Sequence, residues 1–227
     1  MHVAFFDLDR TLIDCNSGRL WMQSEWRAGR LGWRNVIWAS YWISKYHLGF
    51  GGGLEEAYTQ AVMTLKGLEE SVLEERNARW FAAEVRHRLR PGALKTLQMH
   101  RARGDRLVLA TSASVYEARL AAETWGLEPG ISTAFGVSEG CFTGEISSWA
   151  FGDHKRTRAL EWLEAEGMEP EQATFYSDSA TDLGLLALVG HPVAVNPDRK
   201  LTAIARARGW EMADWGLSSP QEVPTQG

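Results

Sequence analysis

Two carboxylates stand two residues apart directly after the first apolar run of the chain. Residues 3–6 are apolar, Asp7 and Asp9 follow them, and Thr11 comes two residues later. At the end of an extended segment this spacing points both carboxylates the same way, so they repel each other unless a cation or a proton intervenes. A solvated acidic turn has the same pattern, and the pair by itself leaves both interpretations open.

Hydroxyl groups follow a second apolar run. Thr111 and Ser112 come after residues 107–110 and before a helical pattern. Their hydroxyls and the free N–H groups of a helix N-terminus would form an anion site. A plain helix cap uses the same residues, so this segment also has two interpretations.

A lysine and two further acids complete the set of candidate groups. Lys155 opens a predicted helix, against the usual preference for acids in a first turn, although a lysine there is often simply exposed. Asp178 and Asp182 follow another apolar run. Oxygen ligands that converge from two strand ends suit a hard cation such as Mg²⁺, which keeps several waters and a substrate phosphate.

The elements that must position these groups alternate along the chain. Short apolar runs predict buried strands over 3–6, 107–110, 174–176 and 192–195. Helical patterns lie between and after them, over 92–103, 115–125, 155–166, 182–189 and 199–208. This alternation indicates an α/β fold with a Rossmann-like parallel sheet flanked by helices on both faces. In such sheets ligands bind beyond the carboxyl ends of the strands, where the candidate groups are predicted to lie.

A long helical insert separates the first predicted strand from the second. We predict helices from Asn16-Ser17 to about residue 28 and over 33–46, 54–66 and 68–88, and a small hairpin over 135–146. Residues 15–90 carry 11 Lys and Arg against 8 Asp and Glu, while the remainder carries 13 against 21. Five of the 11 Trp also lie between residues 21 and 42. We therefore divide the chain into a core of 1–14 and 91–215, a helical cap of 15–90 and a disordered tail of 216–227.

Length and composition restrict the class of protein to which this chain can belong. A chain of 227 residues with 44% apolar and 23% charged residues matches one large globular domain, or a core with an insert, and excludes collagen-like and disulfide-scaffold classes. The longest apolar stretch, 36–50, contains Lys45 and His47, so we expect no transmembrane helix. Two cysteines and no leader pattern predict a cytoplasmic protein. We expect no nucleic-acid partner.

In their order along one α/β chain, these groups resemble the four motifs of the haloacid dehalogenase-like phosphohydrolase superfamily. The matching residues are Asp7, Asp9 and Thr11, then Thr111, then Lys155, then Asp178 and Asp182. The insert after the first motif resembles the helical C1-type cap of the phosphoserine-phosphatase-like branch. The run 191–198 is similar to subfamily IB of that branch.

The resemblance implies a role for each motif residue. Asp7 would be the nucleophile that forms an aspartyl-phosphate, and Asp9 would be the general acid and base. Asp7, the Asp9 carbonyl oxygen and Asp178 would hold Mg²⁺, with Asp182 ordering the waters of the metal. Contacts to the substrate and its phosphoryl group would come from Thr11, Asn16, Thr111, Ser112 and Lys155.

The function that follows is a Mg²⁺-dependent phosphatase acting on a small organic phosphate ester. Phosphoserine or histidinol phosphate is an alternative specificity, and a phosphotransferase on the same scaffold is an alternative activity. A phosphate-receiving or binding protein without turnover is the alternative from another class.

For the aromatic helix 33–46, four interpretations stay open: the core of the cap, an aromatic substrate pocket with Arg19, Arg34 or Lys45, a homodimer contact, or a contact with a membrane surface.

Overall fold

The computed structural model describes residues 1–30 and 54–218. The aromatic helix expected over 33–46, with Arg34 and Lys45, lies outside the described residues, and so does all of the expected tail beyond residue 218. The predictions made for those segments stay predictions.

The described strands form one sheet of seven strands in the order β4-β3-β2-β1-β5-β6-β7. All neighbours are parallel except β3 and β4, which are antiparallel. The strands are β1 (Val3–Phe6), β2 (Arg106–Ser114), β3 (Glu128–Ser138), β4 (Cys141–Ser148), β5 (Ala173–Ser177), β6 (His191–Val195) and β7 (Glu211–Ala213). The expected parallel sheet and the hairpin are confirmed, while β7 and the first part of β3 were not predicted.

Helices connect and cover these strands. They are α1 (Ser17–Arg27), α2 (Leu54–Met63), α3 (Glu70–Trp80), α4 (Pro91–Arg103), α5 (Val115–Trp125), α6 (Asp153–Ala165), α7 (Leu183–Leu186) and α8 (Arg199–Arg208). The helix expected over 182–189 is shorter, because the chain leaves it through a tighter turn in which Leu188 N–H donates to the Leu185 carbonyl. The helix around Lys155 begins two residues earlier than expected, since Gly152 precedes it with φ of 55°.

Strand β1 shows why its sequence is apolar without alternation. All four of its residues are fully buried. Ala4 and Phe6 belong to the core on one face of the sheet, and Val3 and Phe5 belong to the core on the other. Successive side chains of a strand point to opposite faces, so a strand covered on both sides needs an apolar residue at every position.

The segment that leads out of β1 into the insert lies beside the segment that returns from the insert to α4. Asp14 N–H donates to the Arg88 carbonyl and Arg90 N–H donates to the Leu12 carbonyl, so the outgoing and returning segments run side by side. Farther out, Gly67 N–H donates to the Phe142 carbonyl and Phe142 N–H to the Leu68 carbonyl. These two hydrogen bonds join the loop between α2 and α3 to the β3–β4 hairpin. None of the described helices is long and apolar enough to cross a membrane.

Candidate active site

The motif residues from three distant parts of the chain meet at the carboxyl ends of β1 and β5. Lys155 Nζ lies 3.0 Å from Asp7 Oδ1 and 2.8 Å from Asp182 Oδ1. Its side chain is only 2% exposed. The alternative of an exposed lysine at a helix start is therefore excluded, and the three residues form one buried cluster.

A tight turn after β1 sets the positions of the first motif. Asp7 keeps an extended conformation, and Arg10 then adopts φ of 58°, which folds the chain back. The Thr11 hydroxyl donates to Asp7 Oδ2 over 3.3 Å and accepts from Asp178 N–H over 3.0 Å. Thr11 thus couples the nucleophile candidate to the loop after β5, and the sequence prediction of a substrate contact for it stays a prediction.

Asp9 points to the start of α1. Its Oδ1 accepts from Ser17 N–H over 2.8 Å. Burial raises the pKa of Asp9, and the hydrogen bonds from Ser17 oppose that rise. A raised pKa favours a carboxyl that holds a proton nearer to neutral pH, which a general acid requires.

Burial and neighbouring charges shift the pKa values of groups around Lys155, and Asp182 accepts a further hydrogen bond. The Ser177 hydroxyl donates to Asp182 Oδ2 over 2.7 Å. Burial, then the negative charges of Asp7 and Asp182, raise the pKa of Asp178 to about 8. Burial alone would lower the pKa of Lys155, but Asp182 and Asp7 outweigh it and raise that pKa. The lysine is therefore fully protonated at neutral pH.

The charge balance of the site fits a divalent cation. Asp7, Asp178 and Asp182 are buried, and the buried Lys155 pairs with two of them, Asp7 and Asp182. Ionising all three acids in this place costs free energy unless further positive charge offsets it, which agrees with the raised pKa of Asp178. Within the described ranges no three His, Cys, Asp or Glu side chains form a ready metal cage. Mg²⁺ does not need one, because it usually binds one or two carboxylates and keeps waters and phosphate oxygens. Asp7, Asp178 and the Asp9 carbonyl oxygen are a donor set of that kind.

The hydroxyl segment after the second apolar run lies within β2. The Thr111 side chain is buried, and its hydroxyl oxygen accepts from Ala113 N–H over 3.1 Å. The cap of α5 is Ser114, whose hydroxyl oxygen accepts from Glu117 N–H over 3.3 Å. The helix-cap alternative is thus wrong for Thr111 and Ser112. Their predicted contact with a phosphoryl group stays a prediction.

Asn16 has a local role. It is exposed, and its Oδ1 accepts from Arg19 N–H over 2.8 Å at the start of α1. This confirms the predicted helix start. The predicted substrate contact of Asn16 stays a prediction.

Sequence reasoning missed Asp198, which supports the loop after β5. Its Oδ2 accepts from Ala180 N–H over 3.0 Å, and its own N–H donates to the Asp178 carbonyl over 2.8 Å. Its Oδ1 also caps α8 through Leu201 N–H over 2.7 Å. An acid directly before a predicted helix indicates such a cap, but nothing local indicates the contact with the loop.

Glu117 was missed as well. This residue of α5 is 5% exposed. Burial, and then the negative charge of Asp9, raise its pKa to about 8, while a contact with the Ser17 hydroxyl opposes the rise. An acid three residues after Ser114 looks like part of a capping box, and that local signal hides a buried carboxyl near Asp9.

Comparison with known proteins places this site in a family. The model of the haloacid dehalogenase-like hydrolases matches residues 4–187. A Streptomyces azureus "Inhibition of morphological differentiation protein" is 31% identical, over 93% of this chain and 78% of its own length. "Phosphoserine phosphatase SerB1" of Mycobacterium tuberculosis is 28% identical, over 95% of this chain and 71% of its own length. A "Histidinol-phosphatase" of Neisseria meningitidis is 27% identical, over 94% of this chain and 99% of its own length.

The fold of this chain is similar to that of a solved structure over nearly its whole length. A Bordetella pertussis protein described as having unknown function superposes with a TM-score of 0.84 at 29% identity, over 94% of this chain and 98% of that one. The arrangement of sheet and helices described above is therefore shared with a protein of similar length.

Proposed function

The chain belongs to the haloacid dehalogenase-like hydrolase family and is a phosphatase; on that basis we propose that it is a Mg²⁺-dependent phosphomonoester hydrolase that acts on a small organic phosphate through an aspartyl-phosphate. The observation that carries this proposal is the buried cluster of Asp7, Lys155 and Asp182, with Asp9 and Asp178 beside it. Such a cluster joins a nucleophile, a fixed positive charge and oxygen ligands in one place.

The chemistry divides into two displacements. A carboxylate oxygen of Asp7 forms a bond to phosphorus while the bond from phosphorus to the alcohol oxygen breaks, and Asp9 gives its proton to that oxygen. A water molecule then attacks the phosphorus of the aspartyl-phosphate and gives a proton to Asp9, while the bond from phosphorus to the Asp7 oxygen breaks and restores the Asp7 carboxylate. Inorganic phosphate leaves, and both aspartates return to their starting states.

The remaining residues act by position and charge. Lys155 would neutralise the transferring phosphoryl group, and Thr111 with Ser112 would donate hydrogen bonds to its oxygens. Thr11 and Asp182 hold Asp7, Asp178 and Lys155 in place through the hydrogen bonds described above. Because phosphoryl transfer depends mostly on positioning and charge stabilisation, a rigid cluster is what the reaction requires.

Mg²⁺ would be held by Asp7, Asp178 and the Asp9 carbonyl oxygen. When bound, it supplies positive charge to the phosphoryl oxygens. The support for this assignment is that three buried acids, Asp7, Asp178 and Asp182, lie at the carboxyl ends of β1 and β5, where the buried Lys155 pairs with only two of them.

The organisation of the chain belongs to the same proposal. We keep the core of 1–14 and 91–215 and the helical cap of 15–90, because the described elements of the insert are helices that leave and re-enter the sheet side by side. The free cysteines Cys15 and Cys141 support a cytoplasmic location. A homodimer through the Trp-rich segment stays a prediction.

Two specificities follow from the names of relatives. One relative is called a phosphoserine phosphatase and another a histidinol-phosphatase. We therefore propose phosphoserine and histidinol phosphate as the first two esters to assay, beside a generic aryl phosphate.

The test is release of inorganic phosphate from these esters with and without Mg²⁺. We expect turnover that chelation abolishes and that Asp7→Asn reduces to background, whereas Asp153→Asn, an exposed aspartate at the start of α6, stays active. Full activity of the Asp7→Asn variant would overturn the nucleophile assignment. Transfer of phosphate to an added alcohol without release of inorganic phosphate would instead favour the phosphotransferase.

A further inference from the structure

Three hydrogen-bonded side chains lie on one face of the sheet, below the strand ends that carry the Lys155 cluster. His100 is near the end of α4, and only 2% of its side chain is exposed. Its Nδ1 lies 2.7 Å from Asp105 Oδ2, and its Nε2 lies 2.8 Å from the Tyr176 hydroxyl oxygen. Both ring nitrogens of this buried histidine therefore have a partner, and one of these partners is a residue of β5.

The acid determines the direction of these hydrogen bonds. A carboxylate only accepts, so we assign the imidazole proton to Nδ1 of His100, which donates to Asp105. Nε2 is then an acceptor, and the Tyr176 hydroxyl donates to it. The backbone keeps the first pair together, since Asp105 N–H donates to the His100 carbonyl over 3.1 Å. Asp105 thus orients His100, and His100 holds the hydroxyl end of the Tyr176 ring.

Tyr176 contacts the residues next to the reacting aspartates. Its ring stacks on that of Phe6, with the centroids 4.9 Å apart and 10° between the planes. Phe6 directly precedes Asp7, and the Asp7 N–H donates to the Tyr176 carbonyl over 3.0 Å. Asp178 follows Tyr176 by two residues. A movement of this one ring would therefore reach the ends of both strands.

Polar groups are an expensive way to fill this space. Phe6, Leu97 and Tyr176 belong to the apolar core on this face of the sheet. Apolar side chains of the same shape in place of a buried hydrogen-bonded pair can leave stability nearly unchanged. Hydrogen bonds, in contrast, have a preferred length and angle, so a chain of them holds a ring in one orientation. The three side chains are better suited to fix geometry than to add stability.

We propose that His100 is a positioning residue of the reaction, oriented by Asp105 and acting through the ring of Tyr176. It fixes how Asp7 lies relative to Asp178. This role rests on the proposed function, in which one of these aspartates attacks phosphorus and the other holds Mg²⁺. Misplacement of reacting groups by about 1 Å can lower a rate about a hundredfold, so a small movement of the ring is enough.

The experiment measures kcat, KM and the urea midpoint of Tyr176→Phe and His100→Leu, with para-nitrophenyl phosphate and saturating Mg²⁺. We expect each variant to lower kcat by about tenfold or more while KM changes less than about twofold, because the loss is one of alignment and not of ester binding. Each variant also leaves a buried polar atom without its partner and should unfold at a lower urea concentration. Unchanged kcat in both variants would refute the role of His100.

The double variant Tyr176→Phe/His100→Leu separates positioning from stability. It removes both partners of the hydrogen bond, so the urea midpoint should return toward that of the wild-type protein. The turnover number should stay about as low as in the single variants, because the ring has lost the directional bond that held it. Recovery of kcat together with stability would show a purely structural role and would overturn the proposal.

Thr174→Val is the matched control. Its hydroxyl lies 2.8 Å from Nε2 of His2, so the same kind of hydrogen bond is removed from the same strand, two residues before Tyr176. We expect a lower urea midpoint and a change in kcat of less than about twofold, since Thr174 is farther from the strand end. A tenfold loss of kcat in this control as well would count against a particular role for His100.

Amide hydrogen exchange separates this proposal from the proposed function. If the wild-type protein hydrolyses no ester, the phosphatase assignment fails, but the Asp7 N–H still reports how its strand end is held. We expect this amide to exchange about tenfold or more faster in Tyr176→Phe, whereas the Met168 amide, which donates to the Leu163 carbonyl, should change less than about twofold. An unchanged Asp7 amide, or equal changes at both amides, would overturn the positioning role.

Discussion

Lys155 Nζ lies 3.0 Å from Asp7 Oδ1, although 148 positions separate the two residues in the sequence. The same nitrogen contacts both oxygens of Asp182, at 2.8 and 2.9 Å. A single buried cation therefore holds the carboxylates that follow β1 and β5 in one arrangement.

Replacing Lys155 with methionine should remove activity and lower stability together. Asp7 and Asp182 would remain buried without their cation, and breaking a buried ion pair from one side costs about 3–5 kcal/mol. Phosphate release should fall by at least about a hundredfold because the transition-state charge loses its partner. Urea unfolding and steady-state kinetics measure the two effects. Arg156→Met, at the exposed neighbouring position, should change neither.

Replacing Thr11 with valine should weaken the link between the first and last motifs. The buried Asp178 N–H would lose the hydroxyl oxygen that accepts from it over 3.0 Å, at a cost of about 1–3 kcal/mol. We expect a lower kcat and a lower denaturation midpoint. Thr11→Ser should restore both, because it returns the hydroxyl. If valine and serine behave alike, the hydrogen bond has no functional weight.

Replacing Asp198 with asparagine should act through the loop that holds Asp178. The amide nitrogen cannot accept from Ala180 N–H, so one bond of the loop is lost while the cap of α8 can remain. We expect the Mg²⁺ concentration for half-maximal activity to rise severalfold, with KM for the ester at saturating Mg²⁺ little changed. An unchanged Mg²⁺ dependence would contradict a role in positioning Asp178.

Glu117 should make the stability of the protein depend on pH. Its pKa in the folded protein is raised from 4.5 to about 8. Between these values the folded protein keeps the proton that the unfolded chain loses, so the free energy of unfolding falls as pH rises through this window. Glu117→Gln cannot ionise and should flatten this part of the profile, by up to a few kcal/mol at pH 8. Denaturant titrations of both proteins from pH 5 to 8.5 measure the difference.

The C-terminal segment should depend on the absence of a side chain at Gly92. A Cβ there would lie 2.5 Å from the backbone and ring of Trp215, and Gly92 N–H donates to the Trp215 carbonyl over 3.0 Å. Gly92→Ala should therefore destabilise the protein by about 1–3 kcal/mol through overpacking. Gly18→Ala is a matched control at the second position of another helix, where the nearest atom would be 3.7 Å away. Thermal unfolding of the two variants should separate them clearly.

The amino-acid sequence by itself determined the fold class and the residues that meet at the carboxyl ends of β1 and β5. Continuous apolar runs such as 3–6 are read locally, because a strand buried on both faces has no alternation. The motif acids follow directly at the strand ends, and parallel strands bring such ends to one edge. The positions of Asp7 and Asp178 at strand ends and of Lys155 near a helix start were therefore predictable, whereas the tight turn at Arg10 was not.

Only the tertiary structure decided which groups are buried and what they contact. A lysine near the start of α6 has the same local sequence whether it is exposed or paired with Asp7, because the pairing depends on elements far apart in the chain. The same holds for Asp198, whose local pattern shows a helix cap but not the loop it supports. Glu117 is the clearest case, since its raised pKa arises from burial and from Asp9 and Ser17, which are about 100 residues away in the sequence and leave no local signal.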